Sequence, residues 1–342
     1  MRENTKFLGI DIGGAHIKTT GIDYQKNITH VSQIKCPLWK TTKILNAYVS
    51  RLNKKNRDIK CLITMTGELC DNFGTRINGV RKIMQIIKKI KFEKFYITSC
   101  KKKLIKSKPN VNELASMNWL ATAKFLEKKV NNALIIDFGS TTTDLILIKN
   151  SKIRNKFYTD FDRLNNHELV YTGLTRTPTI ALNNFVKIKK KKYNLTSEFF
   201  SNTADLYRIK KMVPSKGDLY NTTDGKDKSV INSYKRFSRN LSIDFKEKNL
   251  KFLKKACDNL IKLQLDLIFL EMQKLMEAND YKLKTPIIVC GIGKKVIELY
   301  LQRKKLNVID FNNYLRGKNK DKITASYHAP ATACALLISE IK

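Results

Sequence analysis

Two similar stretches decide the fold: residues 8–18 read LGIDIGGAHIK, and residues 135–144 read IIDFGSTTTD. Each contains an apolar strand, an aspartate, a turn of small residues and the start of a second strand. Small turn residues leave backbone N–H groups uncovered, so such a turn suits the oxygens of a phosphate group. The repeat predicts two related halves, each of which offers one turn to a bound group.

Length and composition suit a two-domain globular protein. The chain has 342 residues, of which 42% are hydrophobic, enough to bury two cores. No apolar run is long enough to span a bilayer, and the first residues lack the apolar segment of a secretory signal. The 7 cysteines are scattered and form no CxxC pair, so we expect a reducing, cytoplasmic environment. Nothing in the sequence indicates an oligomeric state.

The charge of the chain raises the question of nucleic-acid binding. Its net charge is +36, from 66 Lys and Arg against 30 Asp and Glu. The excess is mostly lysine, and the runs at 101–103 and 189–192 have no interleaved aromatic residues for base stacking. We therefore expect neither nucleic acid nor membrane as a partner, and expect the charge to attract small anionic substrates.

Alternating periodicities predict an α/β fold. Strands are expected at 7–12, 15–22, 28–34, 60–65, 133–137, 143–148, 152–158 and 286–290. Helices are expected at 43–52, 80–90, 112–128, 250–278 and 330–341. The predicted domains are 1–130 and 131–342, with a Lys-rich inserted subdomain around 185–245. Gly13 and Gly14 are interpreted as a tight turn that tolerates positive φ.

The two turns predict a phosphate site with a metal. The candidate phosphate-binding residues in the turns are Gly13, Gly14, Gly139, Ser140, Thr141 and Thr142. Asp11, Asp137 and Asp144 offer oxygen ligands to Mg²⁺, which would offset phosphate charge. Alternatively, the turns are plain hairpin connections and the aspartates cap them. The ordered pair, followed by a strand–Gly-x-Gly–helix unit at 286–304, favours the phosphate site.

Longer strings carry a family resemblance: GIDIGGAHIK, TMTGELCDNF, NELASMNWLATA, IDFGSTTTDLI, DRLNNHELVYTGLTRTP and HAPATACALL. The chain resembles the tetrahydromethanopterin-linked one-carbon pathway proteins, whose methanogen members are (aminomethyl)furan–tyramine ether synthases of methanofuran (methylofuran) biosynthesis. These proteins form part of the hydantoinase A/oxoprolinase branch of the actin-like ATPase superfamily. The resemblance covers most of the chain and is weakest across 185–245. It implies an actin-like ATPase fold with two RNase H-like domains, whose cleft is lined by 11–16, 66–71 and 139–144.

The resemblance also implies a reaction. Such enzymes join an aminomethyl-furanmethanol diphosphate to the phenol of glutamyl-tyramine, tyramine or tyrosine, and release diphosphate. This chemistry needs a phosphate site, with Mg²⁺ expected, but no ATP hydrolysis. The alternatives are an ATP-dependent kinase or hydantoinase/oxoprolinase-type ATPase, and a nucleotide-sensing regulator or nucleic-acid-binding module. Ile292 and the pair Lys294 and Lys295 stand where nucleotide-using relatives keep small residues, which disfavours ATP.

Three residues are catalytic candidates within this implied reaction. Glu68 follows a buried strand and a glycine, and could take the phenol proton or order a water. Asp71 is a second carboxylate in the same loop, and His16 follows the first phosphate turn. Alternatively, Glu68 belongs to the first turn of a helix, and His16 points outward from an alternating strand.

Two arginines stand out in a lysine-rich chain. Arg163 and Arg176 would bind diphosphate or a substrate carboxylate in bidentate geometry. Structural ion pairs are the alternative for both. Met117 and Trp119 are interpreted as core residues of an amphipathic helix.

Overall fold

The computed structural model describes residues 4–54, 58–99, 104–106, 109–215, 217–282 and 284–341. The lysine run at 101–103 lies outside these residues. Within them the chain is an α/β structure, and no described helix is both long enough and apolar enough to cross a membrane.

One sheet has the strand order β3-β2-β1-β4-β5-β6. Its strands are β1 (Phe7–Gly13), β2 (His16–Ile22), β3 (Ile28–Lys35), β4 (Lys60–Thr66), β5 (Glu93–Ile97) and β6 (Leu104–Ile105). β1 to β3 form an antiparallel meander, whereas β4 runs parallel to β1 and β5 runs parallel to β4. β1 is buried along almost its whole length, as expected for a strand in the middle of a sheet.

A second sheet has the order β10-β8-β7-β13-β14, and β9 also pairs with β8. Its strands are β7 (Ala133–Phe138), β8 (Thr143–Lys149), β9 (Lys152–Ile153), β10 (Leu169–Val170), β13 (Ile287–Cys290) and β14 (Val308–Asp310). β11 (Phe185–Ile188) and β12 (Lys191–Asn194) form a separate antiparallel hairpin.

The helices include one long example and several short ones. They are α1 (Lys43–Asn53), α2 (Arg76–Ile87), α3 (Asn118–Glu127), α4 (Asp160–Asn165), α5 (Thr179–Leu182), α6 (Thr203–Ile209), α7 (Val230–Asn240), α8 (Leu250–Glu277), α9 (Lys294–Arg303), α10 (Asn319–Ser326) and α11 (Ala329–Ile338). Every residue of α11 is buried. The helix packs on α3 and on β1, where Gly9 makes room for it: a β-carbon there would lie 1.8 Å from the carbonyl oxygen of Ala331.

The chain divides into two compact units. Unit 1 comprises Met1–Ile135, Ile146–Asn165 and Ile309–Lys342, and unit 2 comprises Ile136–Leu145 and Asn166–Val308. The core of unit 1 packs strand residues such as Ile10 and Ile63 against helix residues such as Ile83. In unit 2 the hairpin β11–β12 and helices α6 and α7 pack against α8 through a buried apolar cluster. The predicted domain boundary between residues 130 and 131 stays a prediction.

Three local predictions were wrong. The helix predicted at 112–128 begins at Asn118, because Ser116 has a φ of +56°, which a right-handed helix cannot contain. The strand predicted at 152–158 ends at Ile153. Gly13 and Gly14 do not have positive φ. Gly14 instead provides space, since a β-carbon there would lie 2.8 Å from Cys70 Sγ.

Candidate functional site

The turn between β7 and β8 is closed by its own backbone and held by a neighbouring loop. Gly139 N–H donates to the Thr142 carbonyl at 2.9 Å, and the Ser140 carbonyl accepts from the N–H groups of Thr175 and Arg176, both at 3.1 Å. The loop is close enough that a β-carbon on Gly173 would lie 2.4 Å from the Ser140 carbonyl carbon. The loop at 173–178 (GLTRTP) therefore packs directly against the candidate phosphate turn that contains Ser140 to Thr142.

Buried polar side chains fix this loop. The Gly173 carbonyl accepts from Gln264 Nε2 and from Thr203 Oγ1, both at 2.9 Å. Gln264 Nε2 also donates to Thr172 Oγ1 at 2.8 Å, and its Oε1 accepts from the Tyr207 hydroxyl at 2.7 Å. Gln264 was not among the residues predicted from the sequence. A glutamine on the apolar face of the long helix α8 was the available signal, because a buried amide needs polar partners.

The Gly-x-Gly segment after β13 lies against the end of β7. Gly291 has a φ of +83°, and a β-carbon there would lie 2.4 Å from Asp137 Oδ1. Gly293 N–H donates to the Phe138 carbonyl at 2.8 Å. Asp137 and Asp144 are both buried, and Asp144 pairs with Leu169 across β8 and β10. The third glycine-rich segment thus lies directly beside the second aspartate motif.

The first turn in unit 1 places a lysine beside its aspartate. The antiparallel register pairs Asp11 with Lys18, and Lys18 Nζ lies 3.5 Å from the buried Asp11 Oδ2. Burial, together with the charge of Lys18, lowers the pKa of His328 at the start of α11 to about 3. Lys18 was not among the residues predicted from the sequence. A hairpin that pairs Phe7 with Ile22 also pairs Asp11 with Lys18. His16, the first residue of β2, is buried and does not point outward.

Glu68 is the centre of a buried hydrogen-bonded group in unit 1. Its Oε1 accepts from Ser116 Oγ at 2.9 Å, and Ser116 Oγ accepts from Arg76 Nη2 at 3.0 Å. Arg76 Nε lies 3.7 Å from the same Oε1. Oε2 is also buried, and it makes no hydrogen bond within the part of the chain that the structure describes. Glu68 precedes α2, so it is not a first-turn helix residue.

The environment of Glu68 makes its carboxyl group suitable for proton transfer near neutral pH. Burial raises its pKa to about 7, although its own backbone N–H, Ser116 and Arg76 act in the opposite direction. Asp160 of α4 adds a smaller upward effect on the pKa. A carboxyl group with a pKa near the working pH can both accept and return a proton efficiently.

The other candidates lie in varied settings. Asp71 is exposed, unlike Glu68 in the same loop. Arg163 is buried in α4, and its guanidinium carbon lies 4.5 Å from the centroid of the Trp119 ring. Trp119 is also buried, so the prediction that it is a core residue is confirmed. The guanidinium carbon of Arg176 lies 5.3 Å from the centroid of the Tyr220 ring. Arg163 and Arg176 each contact an aromatic face, the stacked geometry that arginine favours.

The residues predicted to bind Mg²⁺ are aspartates beside the two candidate phosphate turns. Among the described residues no group of three His, Cys, Asp or Glu side chains is placed to hold a metal ion. Mg²⁺ usually takes only one or two carboxylates and fills its remaining positions with water and phosphate oxygens. The buried carboxylates of Asp11 in unit 1 and of Asp137 and Asp144 in unit 2 fit that requirement.

A cationic depression of about 390 Å³ lies in unit 1 beside the loop that follows Glu68. It is lined by Lys40, Thr41, Thr42, Asn72, Phe73, Gly74, Asn78 and Lys82. This lining contains two ammonium groups and no carboxylate, so the depression suits an anionic group.

Comparisons with known proteins agree with this architecture. Residues 62–314 match the family model described as hydantoinase/oxoprolinase. The chain is 32% identical over 328 residues to a Methanocaldococcus jannaschii protein, covering 94% of this chain and 95% of that one. That protein is named (4-{4-[2-(gamma-L-glutamylamino)ethyl]phenoxymethyl}furan-2-yl)methanamine synthase. A Methanococcus vannielii protein of the same name is 32% identical over 177 residues, covering 52% of this chain and 78% of that one.

A solved structure shares the fold. The nucleotide-free structure of an acetone carboxylase, which carries out ATP-dependent acetone carboxylation, superposes with a TM-score of 0.54 at 10% identity. The match covers 97% of this chain and 70% of that one. The actin-like ATPase fold expected from the sequence is confirmed, and the antiparallel meander of β1 to β3 followed by parallel β4 and β5 is consistent with it.

Proposed function

The chain belongs to the hydantoinase/oxoprolinase family, and we propose that it is a transferase that forms the aryl-alkyl ether of a methanofuran-type cofactor. The observation that carries this proposal is the 32% identity to the M. jannaschii synthase across nearly the full length of both chains. The name of that relative specifies a phenoxymethyl-furan product with a glutamyl-aminoethyl substituent on the phenol ring.

The proposed reaction balances as a substitution at carbon. The donor is an aminomethyl-furanmethanol diphosphate, and the acceptor is the phenol of glutamyl-tyramine or a related tyramine derivative. The bond from the furan methylene carbon to the diphosphate oxygen breaks, and a bond from that carbon to the phenol oxygen forms. Diphosphate leaves with the bonding electron pair, and the phenol proton passes to a base.

The turns supply the diphosphate site in this proposal. In unit 2, backbone N–H groups around Gly139 to Thr142 would hold phosphate oxygens. In unit 1, the Gly13–Gly14 turn is a second candidate for the same role, and Lys18 would supply a positive charge beside it. Mg²⁺, when bound through Asp11, Asp137 or Asp144, would neutralise charge on the leaving group. Arg176, whose backbone N–H bonds to Ser140, is placed next to the same turn.

Acceptor binding is assigned to unit 1. Glu68 would take the phenol proton, because its buried carboxyl has a pKa of about 7 and one oxygen without a hydrogen bond within the described residues. The depression with Lys40 and Lys82 would receive the carboxylate of the glutamyl group. Water must be kept from the activated donor, since its hydrolysis would compete with ether formation. A cytoplasmic location and the absence of a nucleic-acid partner stay predictions.

The alternative function is an ATP-dependent kinase or ATPase on the same fold. Ile292 and Lys294 at the third glycine-rich segment are larger than the residues that nucleotide-using relatives keep there, which disfavours adenine binding. The discriminating assay combines the purified protein with the furan diphosphate and glutamyl-tyramine, with and without ATP. Formation of the ether and of diphosphate in equal amounts without nucleotide supports the transferase. A strict requirement for ATP supports the alternative.

A further inference from the structure

We propose that Ser116 and Arg76 are positioning residues, which hold the carboxyl group of Glu68 through Oε1 and thereby direct Oε2 toward the hydroxyl of the phenolic acceptor. This inference rests on the proposed function for the identity of the acceptor. It concerns residues that were not among the predicted site residues and that do not themselves contact the reacting atoms.

The geometry is a chain of two hydrogen bonds that ends on one oxygen. Arg76 Nη2 donates to Ser116 Oγ at 3.0 Å, and Ser116 Oγ donates to Glu68 Oε1 at 2.9 Å. Because Ser116 accepts from the guanidinium, its single hydroxyl proton is directed to the carboxylate. Oε1 is thereby occupied, whereas Oε2 makes no hydrogen bond within the described residues. Oε2 is buried and has no hydrogen bond among these residues, so an acceptor hydroxyl that reaches it would meet an oriented carboxylate oxygen, as a general base requires.

Ser116 makes its hydrogen bond to Glu68 from an unfavourable backbone conformation. Ser116 is buried and has a φ of +56°, a conformation that serine adopts rarely. Such residues persist where the surrounding structure fixes them, often at functional sites. Here the next residue, Met117, donates its N–H to the Met65 carbonyl of β4 at 3.3 Å. This hydrogen bond anchors the segment that contains Ser116 beside β4, the strand that precedes Glu68.

Opposing charges from different elements act on Glu68. Arg76 on α2 favours the carboxylate, and Asp160 in the first turn of α4 favours the neutral acid. Gly79 keeps α2 close, since a β-carbon there would lie 2.1 Å from the Glu68 carbonyl oxygen. Removal of the Arg76 charge should therefore raise the pKa of Glu68, and removal of the Asp160 charge should lower it.

The test measures the ionisation of Glu68 directly, without relying on turnover. Protein labelled with ¹³C at glutamate carboxyls is titrated by NMR, and Glu68→Gln identifies the resonance. Arg76→Gln and Ser116→Gly should each move the titration midpoint upward by about one pH unit, the size expected for a lost charge-assisted hydrogen bond. Glycine adopts positive φ freely, so Ser116→Gly removes the hydroxyl without adding strain. Arg76→Lys should restore much of the effect, and Asp160→Asn should move the midpoint downward.

The second measurement is the pH dependence of ether formation. The acidic limb of kcat/KM should move with the NMR midpoint in each variant, and the loss at neutral pH should recover under alkaline conditions. Unchanged NMR midpoints in both Arg76→Gln and Ser116→Gly would overturn the positioning roles. If the parent protein forms no ether with any phenol, the proposed function fails, and the NMR titration still decides whether Ser116 and Arg76 control Glu68.

Discussion

Lys18 Nζ lies 3.5 Å from Oδ2 of Asp11, directly across the first hairpin. Asp11→Asn should lower kcat by about 10²–10³, the usual cost of one electrostatic contact to a developing charge. Lys18→Met should instead weaken the binding of diphosphate, because it removes the cation beside the turn. Steady-state kinetics and calorimetric titration with diphosphate separate the two effects.

Matched variants test whether Asp11 acts through a metal ion and Lys18 acts through diphosphate binding. Lys88→Met removes an exposed lysine at the end of α2 and should leave both quantities unchanged. Added Mg²⁺ should rescue part of the loss in Asp11→Asn and in Asp144→Asn if these residues bind the metal. Full activity in both asparagine variants would contradict the diphosphate site.

Gly291→Ala is expected to disturb the second aspartate motif. The new β-carbon would approach Asp137 Oδ1 to 2.4 Å at a residue with a φ of +83°. We expect weaker diphosphate binding together with a lower melting temperature. Gly225→Ala is the control, since Gly225 has a φ of +70° but no atom within 4 Å of the added carbon. It should cost about 1–2 kcal/mol from backbone strain alone and leave diphosphate binding intact. Equal effects of both substitutions on binding would argue against a role for the Asp137 contact.

The cationic depression is expected to select the acceptor. Replacing Lys40 and Lys82 together by glutamine should raise KM for glutamyl-tyramine about 10-fold or more, because two charges near the substrate carboxylate are lost. The KM for tyramine, which lacks that carboxylate, and the KM for the furan diphosphate should stay the same. A uniform rise in all KM values would show that the lysines act by general attraction.

Glu68 should make the stability of the protein depend on pH. Its pKa is about 7 in the folded protein against an ordinary value of 4.5. The folded state therefore binds this proton more tightly, and its stability falls as pH rises from about 4.5 through 7. Glutamine cannot ionise, so Glu68→Gln should be more stable than the parent at pH 8, by about 3 kcal/mol at most, and equally stable at pH 4.

Denaturant unfolding at the two pH values measures this difference. Glu247→Gln, which removes an exposed carboxylate, serves as the control for the loss of a surface charge. A stability gain that is the same at both pH values would show that Glu68 has the same pKa in the folded and unfolded states, contrary to the effect of burial.

The sequence allowed most of the secondary structure to be predicted, because buried strands and the long helix α8 have clear periodicity. It could not reveal that the segment before α3 is not helical. Leu114 and Met117 are apolar and buried as a helix would require, but Ser116 between them adopts positive φ through tertiary contacts. No local propensity of serine indicates that conformation.

The candidate site was predictable to a similar degree. Asp11, Asp137 and Glu68 could be chosen as candidates because they lie in or just after buried strands, within recognisable strings. Arg76 and Ser116 were not, since the hydrogen bonds that join them to Glu68 link residues 40 and 48 positions apart. Lys18 could have been found from the hairpin register alone.

Gly9→Ala is expected to separate α11 from β1. The added carbon would lie 1.8 Å from the Ala331 carbonyl oxygen, so the helix must shift, and overpacking of this kind costs about 1–3 kcal/mol or more. Gly74→Ala adds the same carbon where nothing lies within 4 Å, and should change stability by less than about 1 kcal/mol. Thermal unfolding of the two variants makes the comparison, and similar melting temperatures would contradict the close packing at Gly9.

The packing of α11 on β1 also constrains how the protein forms on the ribosome. β1 leaves the exit tunnel early, whereas α11 emerges after nearly all of the printed chain has been made. The face of the first sheet that α11 covers therefore stays exposed to solvent until translation of this region is almost finished. Unit 1 cannot complete its folding during synthesis in the usual N-terminal-first order. A nascent chain stalled before residue 329 should be held by chaperones that bind exposed apolar segments, and release should follow once α11 is translated.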